Sequence, residues 1–155
     1  MINLTIISAI ALSIIWHEAC HALALLALGV PVRVIQIGVP VVYRRGCFAL
    51  GLFPFYGAVG AEDLTGVPWA AQVLYYASGP IGSMILGVLL FIDSYTANMV
   101  GLVSLSIGIF NLLPVPPMDG YRLITLGRQV PYQVQIAWAV AGWTLIAVAT
   151  FWWSW

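Results

Sequence analysis

Four long stretches of this chain carry almost no charge, and that limits its fold more than any other feature. Residues 1–32 hold no charged group outside a cluster of His17, Glu18 and His21, while residues 64–92, 94–118 and 129–155 hold none. Crossing roughly 30 Å of hydrocarbon takes about 20 helical residues, and each stretch is long enough. The chain therefore reads as an all-α polytopic membrane protein with about four transmembrane helices, over 4–29, 68–92, 95–113 and 133–154. Composition agrees with that reading. Only 6% of residues are charged and 63% are hydrophobic, against about 25% charged in a typical soluble domain. Five arginines and no lysine balance five acids, which leaves no basic surface for nucleic acid. The lipid bilayer is the expected partner instead.

Arginine placement sets an expected orientation. Arg33, Arg44 and Arg45 lie between helices one and two, and Arg122 and Arg128 lie between helices three and four. The remaining connection carries Asp93 and no basic residue. By the positive-inside tendency, the two arginine-bearing connections face the cytoplasm and both termini lie outside. The expected location is the prokaryotic cell membrane, multi-pass.

The segment from Pro31 to about Phe55 breaks the helical pattern. Val32, Val34, Ile37, Val39, Val41, Val42 and Tyr43 favour strand, and Gly38, Pro40 and Gly46 interrupt them. This predicts a small membrane-associated β hairpin or sheet between helices one and two, with a third short strand at Phe48–Phe53. Pro54, Gly57 and Gly60 are then expected to turn the chain through a loop carrying Glu62 and Asp63. Such backbone must lie at the interface or be shielded by protein, because unpaired edges cannot face lipid. In helix two, Gly79, Ser83 and Gly87 stand four apart and read as a close-packing face, with Pro80 as a kink or a re-entrant start. No repeat or linker divides the chain, so residues 1–155 read as one domain.

The chemistry concentrates in His17–Glu18–Ala19–Cys20–His21. On a helix His17 and His21 share one face a turn apart and can hold one ion, for which neutral imidazole suits zinc. Glu18 is rotated by about 100°, so it is placed to take a proton from water rather than to complete the ligand set. These are the chain's two histidines, and ionisable groups within an apolar span are costly and usually functional. A catalytic zinc commonly has three protein ligands; candidates for the third are Glu62, Asp63, Asp93 and Asp119. Asp119 follows Pro114, Pro116 and Pro117, which must break a regular helix. The unwound chain could carry Asp119 back toward the metal, or Asp119 could serve as a cap or turn residue before Gly120.

HEACH at residues 17–21 and NLLPVPPMDG at residues 111–120 resemble the paired HExxH and NxxPxPxxDG patterns of the site-2 protease family of intramembrane zinc metalloproteases. The likeness covers about residues 5–125. It implies that His17, His21 and Asp119 bind one Zn²⁺ per chain, that Glu18 is the catalytic base, and that Asn111 helps hold substrate or the site. The Phe48–Gly60 region is similar to the family's membrane-associated β element. Ser83 stands where some members carry Asn after a Gly–Pro pair, and could still donate a hydrogen bond. No PDZ-like or CBS-like domain fits between the segments, so the expectation is a minimal member, with substrate access controlled by the core or by a regulatory membrane partner.

The expected activity is zinc-dependent endopeptidase hydrolysis in or near the transmembrane segment of a membrane-anchored protein substrate. That segment must unwind locally to expose its carbonyls. The stretch Val32–Tyr43 could pair with the unwound peptide by β-addition, or it could be purely structural. Two other classes compete: a catalytically silent scaffold or adaptor that binds client helices, and a metal transporter, whose ligands would be spread along a path.

Overall fold

The computed structural model describes residues 4–64, 66–126, 128 and 130–153. In chain order it contains α1 (Leu4–Ala27), β1 (Val32–Arg45), β2 (Phe48–Ala61), α2 (Trp69–Leu86), a 3-10 turn (Gly87–Phe91), α3 (Tyr95–Asn111), α4 (Asp119–Ile124) and α5 (Tyr132–Trp153). The chain is mostly helical with one two-stranded antiparallel hairpin after the first helix.

Among the described residues three helices, against the four expected, are long and apolar enough to span: Leu4–Ala27, Trp69–Phe91 and Tyr132–Trp152. The segment expected as the third span does fold as helix α3. It has 17 residues, or about 25 Å at 1.5 Å each, at the low end of the range for a span, and it ends at Asn111, two residues before the expected bound. The proline cluster explains its end, since Pro114, Pro116 and Pro117 cannot continue the ladder. At the other end of the chain, Ser154, the last residue of the expected fourth helix, lies outside the described residues.

Helix α1 has no internal Gly or Pro, and it ends on Gly29 at φ +68°. Val30 N–H donates to Leu25 O at 2.9 Å and Gly29 N–H to Leu26 O at 3.1 Å, the paired bonds of a Schellman end that needs glycine's left-handed freedom. The stop turns the chain directly into the hairpin. Pro80 lies inside α2 and is fully buried, so α2 runs through it and does not begin there.

α1, α2 and α3 pack on one another through small residues. Ser13, Ser83 and Ser104 have no exposed surface. A Cβ added to Gly108 would lie 2.9 Å from the Pro80 carbonyl oxygen, so only glycine allows α3 this close to α2. α5 remains outside this core, with none of its spanning window buried. It touches the rest through few contacts, among them Trp143 Nε1 donating to Pro116 O at 3.1 Å and Trp138 edge-on to Tyr121 at 5.2 Å. An apolar helix exposed over most of its surface suits lipid as its neighbour.

The hairpin departs from expectation in two ways. The third strand at Phe48–Phe53 is the first half of β2, and the expected Pro/Gly loop is its second half, extended to Ala61. Near the base, Val32 faces Ala61, Ile35 faces Val59 and Ile37 faces Gly57; farther out, Val41 faces Gly51 and Arg45 faces Phe48. Irregular register between these halves lets the outer half curl back, so that Ile35, Gln36 and Ile37 also face Phe48, Ala49 and Leu50. Ile35 N–H donates to Cys47 O at 2.7 Å across that closure. The inner part of β1 thus has neighbours on both sides and offers no open edge to a substrate strand. The stretch of β2 from Phe55 to Ala61 lines a cavity instead.

Candidate metal centre

α1 sets His17 and His21 one turn apart, with each ring less than a twentieth exposed. Asp119 reaches them from the first residue of α4, after the proline-broken connection. Asp119 Oδ2 lies 3.1 Å from His17 Nε2 and 3.1 Å from His21 Nε2, and the two Nε2 atoms are 3.2 Å apart. These atoms form a nearly equilateral triangle. Among the described residues this is the one group of three His, Cys, Asp or Glu side chains able to share an ion. Glu62, Asp63 and Asp93, the other candidates for the third ligand, are outside it.

The donor set fits zinc. Metal–ligand bonds of about 2.0–2.1 Å at tetrahedral angles put ligand atoms roughly 3.3–3.4 Å apart, within a few tenths of an ångström of the observed sides. A second observation concerns Gly79 of α2. A Cβ there would stand 2.7 Å from His17 Nε2 and against His21 Nε2, so the absent side chain leaves a hollow facing both donor nitrogens. The outer ring nitrogens are also engaged, as ligating histidines require. His21 Nδ1 meets the Tyr75 carbonyl at 2.8 Å and His17 Nδ1 meets the Ser83 hydroxyl at 2.9 Å. Burial raises the Asp119 pKa, but hydrogen bonds and charge from His17 and His21 outweigh it and hold that carboxyl below its usual range.

Glu18 sits beside this triangle, 6% exposed. Its Oε2 is buried without a hydrogen-bond partner. β2 crosses directly over it: a Cβ on Gly57 would lie 2.8 Å from the Glu18 carboxyl carbon. Tyr75 Oη donates to Val59 O at 2.6 Å and ties that strand to α2. A cavity of about 600 Å³ collects His17, Glu18, His21, Asp119, Asn111 and Arg122 with the inner half of β2. Asn111 donates its Nδ2 to Ile107 O at 2.9 Å, so one amide hydrogen is spent on its own helix.

Two residues here were not legible as site residues. Gly79 read as a packing position and Gly57 as part of a loop, whereas Ser83 read as a packing position that could also make a hydrogen bond. A usable signal lay in the four-residue spacing of Gly79 and Ser83, which places a gap and a hydroxyl on one helix face. Cys20, within the motif, packs against Gly82 away from the triangle.

Comparison with known proteins gives a distant likeness. The chain is 27% identical over 140 residues to a Synechocystis sp. protein named "Putative zinc metalloprotease sll0528". The match covers 84% of this chain and 30% of that protein, so the chain spans under a third of its relative's length. No family model matches the chain. The likeness points to a metalloprotease relationship, in agreement with a His-His-Asp group able to hold a metal.

Proposed function

We propose that the chain is a zinc-dependent intramembrane endopeptidase of the site-2 protease type. Its substrate would be a membrane-anchored protein cut in or near a transmembrane segment. The observation that carries this reading is the triangle of His17, His21 and Asp119 with the unpartnered Glu18 oxygen beside it.

His17 Nε2, His21 Nε2 and Asp119 Oδ2 would hold one zinc ion. A zinc ion bound there supplies the positive charge that makes a water acidic near neutral pH and stabilises negative charge on the scissile carbonyl. Glu18 is the base: its free oxygen takes the proton of the attacking water and returns it to the departing amine. His17, Glu18 and His21 are buried on α1, and the cavity gives the peptide room alongside β2. Asn111, at the cavity wall, is placed to support the substrate or the site. A helical substrate hides its carbonyls in hydrogen bonds, so it must unwind before it can enter. The three membrane-length helices fit a multi-pass membrane protein; on the arginine placement the site would face the cytoplasm of a prokaryotic cell. A regulatory membrane partner would control substrate access. A transporter would need ligands along a path, whereas the described residues hold one such cluster.

Glu18→Gln tests the reading. In the purified full chain it should abolish cleavage of a transmembrane model peptide while retaining one zinc per chain. Metal-dependent cleavage by that variant at the wild-type rate would overturn the assignment.

A further inference from the structure

The two histidines of the triangle are held differently at their outer nitrogens. His21 Nδ1 faces the Tyr75 carbonyl at 2.8 Å and, farther off, the Ser78 hydroxyl at 3.3 Å, whose own hydrogen goes to the same carbonyl at 2.7 Å. A carbonyl only accepts, so Nδ1 must carry the hydrogen, and the Nε2 lone pair is left facing the cluster. His17 Nδ1 instead meets the Ser83 hydroxyl at 2.9 Å, a group that can accept or donate. Ser83 has no exposed surface and is confined between α1 and α3, where a Cβ on Gly108 would lie 3.2 Å from its own Cβ.

We propose that Ser83 is a positioning residue for the metal. Its hydroxyl oxygen accepts the His17 Nδ1 hydrogen and thereby selects the tautomer that presents Nε2, as the Tyr75 backbone does for His21. The inference rests on the metal site proposed above. The two clamps differ in one way that matters for testing: no side-chain substitution removes the Tyr75 carbonyl, whereas the Ser83 hydroxyl can be deleted with little change of shape. The competing role is a small residue that lets helices approach. Ser104 of α3 provides the matched control, because it is equally buried and its hydroxyl has no hydrogen-bond partner.

Zinc affinity of the full chain in detergent is measured by competition with a chromophoric chelator. Ser83→Ala should weaken binding about 10- to 100-fold, the usual consequence of losing an outer-shell partner, while Ser104→Ala stays within about twofold of wild type. A spectroscopic readout is independent of any variant's folding. The chain has two histidines, so a ¹⁵N-histidine spectrum of the zinc-loaded wild type resolves every ring nitrogen. Two slowly exchanging Nδ1–H protons are expected in wild type, and one, from His21, in Ser83→Ala. Wild-type affinity in Ser83→Ala, an equal loss in Ser104→Ala, or a His17 ring without hydrogen at Nδ1 in wild type overturns the proposal. A wild-type chain that binds no zinc overturns the metal reading and this one with it. Tight wild-type binding with an indifferent Ser83→Ala removes only the role of Ser83.

Discussion

Gly79→Ala separates a metal site from a helix-packing position without touching a ligand. The new methyl would lie 2.7 Å from His17 Nε2 and against His21 Nε2, while ordinary van der Waals contact begins at 3.4 Å. Relieving both contacts takes about 0.7 Å at His17 Nε2 and more at His21 Nε2, several times the ±0.2 Å tolerance of metal–ligand distances. The methyl also intrudes on the hollow between the donors. Zinc affinity should fall by more than the roughly 100-fold upper figure for losing an outer-shell partner, although His17, His21 and Asp119 are all present. Stability of the metal-free protein should fall by no more than a few kcal/mol. Overpacking costs about 1–3 kcal/mol, and replacing glycine by alanine inside a helix returns about 0.5–1 kcal/mol, for a net cost of about 0–2.5 kcal/mol. The assay is zinc content after dialysis against a weak chelator, paired with thermal unfolding of the metal-free protein. Full zinc occupancy at wild-type affinity would refute the reasoning, because the hollow would then have nothing to do with the ion.

Further outcomes follow from the same geometry. Asp119→Asn should lower zinc affinity by more than about 100-fold in a protein that still inserts in membranes; undiminished affinity in the chelator competition would remove Asp119 from the ligand set. Gly57→Ala should press β2 against the Glu18 carboxylate and cut peptide turnover at least tenfold with zinc content retained, and wild-type turnover would show that β2 does not bear on the base. Tyr75→Phe deletes the 2.6 Å hydrogen bond to Val59 O, worth about 0.5–1.5 kcal/mol. It should expose the hairpin to faster limited proteolysis, and an unchanged cleavage rate would discount the tether.

What could be read from the sequence was set by how local each cause is. His17 and His21 are four residues apart on a helix, so their shared face follows from helical geometry alone. Asp119 lies 102 positions from His17, and nothing short of the fold distinguishes it from Glu62, Asp63 or Asp93 by chemistry; it emerged only through the motif likeness. The expected third span is present as helix α3, but its end was placed two residues late, because absence of charge does not mark where the helix stops at Asn111, ahead of the prolines. The strand-forming residues of β1 were visible. Its closure onto β2 was not, because that depends on Gly38 and Gly51 lying against each other, a contact between two halves of one hairpin. Gly79 and Gly57 were hidden for a related reason: a missing side chain has meaning only once the atoms it makes room for are in place.

Glu18 gives the strongest ground for preferring chemistry over a client-binding scaffold. An ionisable side chain within an apolar span is costly and usually functional, and Glu18 is such a group, 6% exposed on α1 with its Oε2 free of any protein partner. A scaffold gains nothing from this, because an apolar residue would pack α1 at least as well. Yet β2 accommodates the carboxylate with a glycine at the closest approach, and the imidazoles of the same helix turn their Nε2 atoms toward a common point within the same cavity. Two segments far apart in the chain thus keep a carboxylate beside the ligand triangle, where a base would be used. Proton transfer to and from a water beside the ligand triangle is the use that needs a carboxylate oxygen with no other partner.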